Sequence, residues 1–100
     1  MKQYSARGQE WISFSMLVLK HIEEYTVPQY GDKPNDPLEE WEIKDCMRMI
    51  KKYHDRHGKG QRGKTEELRD LLKIAHYAGV AHTKHQEKEN DKRIRRTIML

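Results

Sequence analysis

Trp11, Phe14, Val18, Ile22 and Tyr25 recur at spacings of three and four residues, a period that only a helix turns onto one face. This predicts a first helix over about 6–25, with those side chains as core. Two prolines and a glycine then punctuate Val27-Pro28-Gln29-Tyr30-Gly31-Asp32-Lys33-Pro34-Asn35, which reads as a loop. Asp36, Pro37 and Glu39 supply an N-cap, a proline at the first helical position and a capping-box acid, so a second helix is expected over 36–57. Its apolar stripe is Ile43, Cys46, Met47, Ile50, Tyr53, His54 and His57, and Gly58 is its stop. A third helix, capped by Thr65 and opened by Glu66 and Glu67, is expected over 65–85. Arg69, Lys73, His76 and Lys84 gather on one narrow side of it, while Leu68, Leu71, Leu72, Ile74, Ala75, Tyr77, Ala78 and Ala81 cover the rest.

The fold class that follows is all-α: a three-helix unit with a long helix hairpin. So wide an apolar face on the third helix needs neighbours on two sides, which predicts a homodimer that completes a bundle. The chain has 100 residues, of which 35% are hydrophobic and 36% charged, enough for one domain with a modest core. That domain is expected over 1–86, and the polar, basic stretch 87–100 as a short helix or a disordered tail.

Twenty Lys and Arg against sixteen Asp and Glu give a net charge of +4. Their distribution says more than their sum. Between Lys44 and Lys64 there are eight Lys or Arg and only Asp45 and Asp55 to oppose them, whereas Asp32 to Glu42 is mostly acidic. One end of the molecule is therefore basic and suited to a polyanion. The single cysteine, Cys46, excludes an intramolecular disulfide and fits a reducing cytoplasm. The apolar stretch from Trp11 to Leu19 is too short to span a bilayer and runs into Lys20-His21-Ile22-Glu23-Glu24, so neither a membrane anchor nor a signal peptide is expected.

Gly58-Lys59-Gly60-Gln61-Arg62-Gly63-Lys64-Thr65 fits the phosphate-loop pattern letter for letter. A true phosphate loop follows a buried strand, and the preceding Arg48-Met49-Ile50-Lys51-Lys52-Tyr53-His54-Asp55-Arg56-His57 is too charged for one. What survives is a basic, glycine-rich turn feeding a helix N-terminus, a place that favours anions in any fold. Lys59, Arg62 and Lys64, with Lys52 behind them, are the candidate phosphate-binding residues; the alternative is a solvated basic face.

Glu67 and Asp70 lie three apart on the broad apolar side of the third helix, where unpaired carboxylates are expensive. A hard divalent cation such as Mg2+ is one solution. Helix-dipole acids paired with Lys or Arg are the other.

Glu66-Glu67-Leu68-Arg69-Asp70-Leu71-Leu72-Lys73-Ile74-Ala75-His76-Tyr77-Ala78 resembles the E-x-x-D helix of the all-α nucleoside triphosphate pyrophosphohydrolases, the MazG-like superfamily. Tyr30-Gly31, Trp41 and the Met47 to Arg56 segment are similar in order and spacing to the small phage and bacterial nucleotide-modification-associated domains. The likeness covers about 30–82. It implies a four-helix-like bundle, commonly completed by dimerisation, in which an E-x-x-E and an E-x-x-D pair hold Mg2+ on a nucleoside or deoxynucleoside triphosphate and water cleaves between the α and β phosphates. Carried over, Glu67 and Asp70 match the second pair, and Glu39 and Glu42 offer the first. In an antiparallel hairpin turning near Gln61, Glu42 falls about 18 Å from the Glu67 and Asp70 layer at 1.5 Å per residue. The four carboxylates then meet only across a dimer, or the protein binds without cleaving. The rival expectation is a non-enzymatic, phage-type binding module that contacts nucleic acid or a host protein through its basic end. The His54-Asp55 pair also faintly resembles the HD phosphohydrolases, which need more helices and a longer interval to the final aspartate.

Overall fold

The computed structural model describes residues 3–60 and 62–99. The described residues form helices and turns with no strand. In order they are α1 (Ala6–His21), a π-helical turn (Ile22–Thr26), α2 (Val27–Tyr30), a 3-10 turn (Pro37–Glu40), α3 (Ile43–Arg56) and α4 (Gly63–Met99). The first three pieces run on as one helix, so the all-α chain has three helices. It divides into two compact units, Met1–Glu39 and Glu40–Leu100.

In the first unit, the Ser5 hydroxyl caps α1 by accepting from the Gly8 N–H at 3.1 Å. The helix does not end at Tyr25 as its periodicity suggests. A proline inside an α-helix removes one hydrogen bond and collides with the carbonyl four residues back. Here the backbone widens just before Pro28: the Val27 N–H donates to the Ile22 carbonyl, five residues back. The helix passes the proline and stops at Gly31, whose φ of 92° is open to glycine.

The second helix also starts later than its sequence signals imply. Pro37 opens only the 3-10 turn, and the expected cap, Asp36, keeps Oδ1 without a hydrogen-bond partner. The cap of α3 is made one turn further on, where the Glu42 N–H donates to the Asp45 carboxylate at 2.8 Å. Trp41, just before it, stacks on Tyr77 of α4 at 5.9 Å between centroids, a tertiary contact that holds the chain out of helix there. Glu39 therefore sits in the turn and Glu42 at the N-cap of α3, rather than both inside one helix over 36–57.

α3 and the first half of α4 form the expected antiparallel hairpin. Arg56 meets Asp70, Tyr53 stacks on Tyr77, and Cys46 lies within electrostatic reach of Lys84, so partners rise along α4 as they fall along α3. Its core is small: among the described residues Cys46, Tyr53 and Ala81 are the buried apolar ones, and Asp70 is buried with them. α4 does not stop near residue 85. No glycine or proline follows Gly79, the sequence is rich in good helix formers, and Lys92 pairs with Glu89 at 3.5 Å, so the helix continues to Met99. Every side chain from His85 to Ile98 is exposed. No helix among the described residues is long and apolar enough to cross a membrane.

Candidate functional site

The closed end of the hairpin collects the charge. From Lys51 to Lys73 the sequence carries eight Lys or Arg against four acids, Asp55, Glu66, Glu67 and Asp70. Two turns of α3, the connecting bend and three turns of α4 bring them together.

Asp70 is the centre of this end. It is only 3% exposed and accepts two hydrogen bonds from Arg56, Nε to Oδ2 at 2.7 Å and Nη2 to Oδ1 at 2.5 Å. This fork matches a guanidinium to a carboxylate in one plane. Lys73 Nζ stands 4.0 Å from Oδ1. Arg56 and Lys73 also lie over the Tyr53 ring, 4.7 and 5.2 Å from its centroid, and Lys52 at 5.8 Å. The Arg56 hydrogen bonds hold the Asp70 carboxyl below the usual carboxylate range, against the opposing effect of burial. Burial pulls the Lys73 ammonium below its ordinary value, and Asp70 only partly offsets this. The buried carboxylate has thus been matched by a cation of its own chain.

The other acids here are engaged as well. Glu67 Oε1 accepts from the Gly58 N–H at 3.1 Å and ties the start of α4 to the end of α3. Glu66 pairs with Arg69 at 2.7 Å. Asp55 takes Lys51 at 2.5 Å and lies 3.3 Å from His54 Nδ1, and these two neighbours, Lys51 first, hold its carboxyl low.

The candidate phosphate-binding residues fall into the same region. Lys59 and Lys64 make no ion pair among the described residues, and Arg62 lies close enough to Asp70 and Lys73 to act on both electrostatically. Gly60 and Gly63 turn the bend with φ of 72° and 81°, a region where side chains are strained. The position of Gln61 lies outside the described residues. The segment before the bend is helix, so the phosphate-loop pattern stands here without its strand.

Within the Glu40–Leu100 unit, Glu42 is not brought to Glu67 and Asp70. Glu67 and Asp70 share one end of the hairpin. Glu42 precedes the first residue of α3, whose 14 residues end at Arg56, about 21 Å away along the axis. Its side chain lies 3.9 Å from Lys44, and Glu39 reaches Lys33 at 4.0 Å. Among the described residues no group of three His, Cys, Asp or Glu could hold a metal ion.

Sequence reasoning passed over Arg56 and Lys73 as partners of Asp70. The available signal was the hairpin register, which sets the last turn of α3 against the second turn of α4 and so an arginine against the one acid facing inward. The Trp41, Tyr77 and Tyr53 ladder had no such signal, because Trp41 reaches Tyr77 from outside the helix. No protein-family model, curated protein or solved structure matches the chain.

Proposed function

We propose that this protein is a phosphate-binding module that takes nucleoside or deoxynucleoside triphosphates at the basic bend of its hairpin. The observation that carries this reading is the charge balance of the bend. All four acids there are held by neighbours, while Lys59 and Lys64 make no ion pair among the described residues and Arg62 adds to them. Phosphate oxygens are the ligand that such a surplus of donors accommodates, and the helix N-terminus behind the bend has the same preference.

Mg2+-dependent cleavage to a monophosphate and pyrophosphate is the further step that the MazG-like resemblance implies. It requires Asp70 to leave Arg56 for the metal, and a second carboxylate pair, Glu39 and Glu42, brought by another subunit. Binding without cleavage leaves the buried pair intact and is the reading favoured here. A nucleic-acid backbone is the second reading, supported by the exposed Lys92, Arg93, Arg95 and Arg96 near the end of α4.

Calorimetric titration with each common NTP and dNTP, with and without Mg2+, and with single-stranded DNA separates these readings. Triphosphate binding weakened about tenfold or more by Lys59→Ala with Lys64→Ala supports the proposal. Pyrophosphate release would restore the enzyme. Binding confined to DNA, with steep salt dependence, would move the function to the second reading, and silence across the panel would sink both.

A further inference from the structure

Among the four acids at the bend, Glu67 is held differently from the rest. Asp55, Glu66 and Asp70 each face a cation, at 2.5, 2.7 and 2.5 Å. Glu67 makes no ion pair among the described residues and rests instead on the Gly58 N–H at 3.1 Å. That amide also differs from its neighbours. The His57 and Lys59 N–H groups donate to backbone carbonyls, those of His54 at 3.2 Å and Arg56 at 3.3 Å, whereas Gly58 turns with a φ of 79° and donates to a carboxylate. An anion thus already holds a main-chain donor at the basic bend, and it belongs to the chain itself. Lys59 follows the donor in sequence, and Lys64 stands one turn before Glu67 on α4. A carboxylate oxygen on a main-chain donor, with a lysine beside each partner, stands where a phosphate oxygen sits in a backbone cradle.

We infer that Glu67 is an internal occupant of the anion site, which a phosphate chain displaces from the Gly58 N–H in order to bind. The inference rests on the triphosphate reading above and adds what restrains it. A tethered side chain competes at an effective concentration of about millimolar. The competition weakens every ligand that needs this donor by the same factor, so single phosphates are driven out of useful range, while a triphosphate long enough to engage Lys59 and Lys64 together still binds. Glu67 is also the acid whose release costs least. Displacing Asp70 strands Arg56, and displacing Glu66 strands Arg69, whereas Glu67 leaves no paired cation behind. The sign of its effect is therefore opposite to that of a metal ligand or of a tie that merely holds the bend in shape: shortening Glu67 strengthens the binding of phosphate.

The test is calorimetric titration of the full chain with inorganic tripolyphosphate in the absence of Mg2+. Glu67→Asp keeps the negative charge but is one methylene shorter and loses its reach to Gly58, so binding should tighten about fivefold. A gain at constant charge separates displacement from a change in the general field. Glu67→Ala should tighten binding at least as much. In the wild type, the Gly58 amide should be among the nuclear magnetic resonance signals that tripolyphosphate moves most. Wild-type binding with no gain in either variant, or with a Gly58 amide unmoved at saturation, would overturn the inference and leave the triphosphate reading standing. No binding by the wild type or by either variant would remove that reading and this inference with it.

Discussion

A buried carboxylate with one arginine across from it is a lever on stability. Asp70 and Arg56 form their fork in a hairpin that buries, among the described residues, three apolar side chains, so the pair is a large part of what fixes α3 on α4. Asp70→Asn leaves Arg56 half-buried without its counter-charge and should cost about 3 kcal/mol in chemical denaturation. Arg56→Lys keeps the charge, loses the planar fork and should cost about 1 kcal/mol. The carboxyl titrates lower in the folded protein than the unfolded value of about 3.9, so its contribution is fully present above that pH and is lost as pH falls through the folded value. Acid unfolding curves should show this loss in the wild type and a flatter profile in Asp70→Asn; equal profiles would mean that the pair does not couple to folding. Helical spacing is enough to place Asp70 on an inward face and to demand a partner for it. That the partner is an arginine rather than a metal depends on the hairpin register set by the bend, which helical spacing alone does not give.

At the scale of elements, the helix periods are legible and the ends are not. Asp36 and Pro37 carry the composition of a helix start, yet the stacking of Trp41 on Tyr77 defers α3 to Ile43. The true cap uses Asp45, which holds the Glu42 N–H and also pairs with Arg48. Asp45→Ala should therefore destabilise the hairpin by about 1 kcal/mol, whereas Asp36→Ala, at the cap the sequence advertises, should change it by much less. Equal effects of the two would place the cap where the sequence puts it. Pro28 misleads in the opposite direction. It reads as a breaker, but a π-helical turn widens the backbone ahead of it and the helix survives to Tyr30. A turn of that kind depends on hydrogen bonds five residues apart and has no composition of its own.

For the whole molecule, helical periodicity foretold an all-α chain, but the core it assigned to Trp11, Phe14, Val18, Ile22 and Tyr25 is not formed: among the described residues of the Met1–Glu39 unit none is buried, and Trp11 is 59% exposed. The basic end was equally legible, because charge runs do not depend on packing. The commitment of Glu67 and Asp70 was not, since their partners Gly58 and Arg56 are brought close only by the folded hairpin, whereas Glu66 and Asp55 are paired within one helical turn. The length of α4 has a consequence for motion. Its 37 residues span about 55 Å, and α3, with 14, accompanies about 21 Å of it. Packing, more than propensity, keeps a helix closed in water. Amide hydrogens of 66–81 should thus exchange at the rate of hairpin opening, while those of 90–98 exchange within the fraying of a lone helix. A single rod then carries two clocks, and the residue at which one gives way to the other marks where the helix last touches a neighbour.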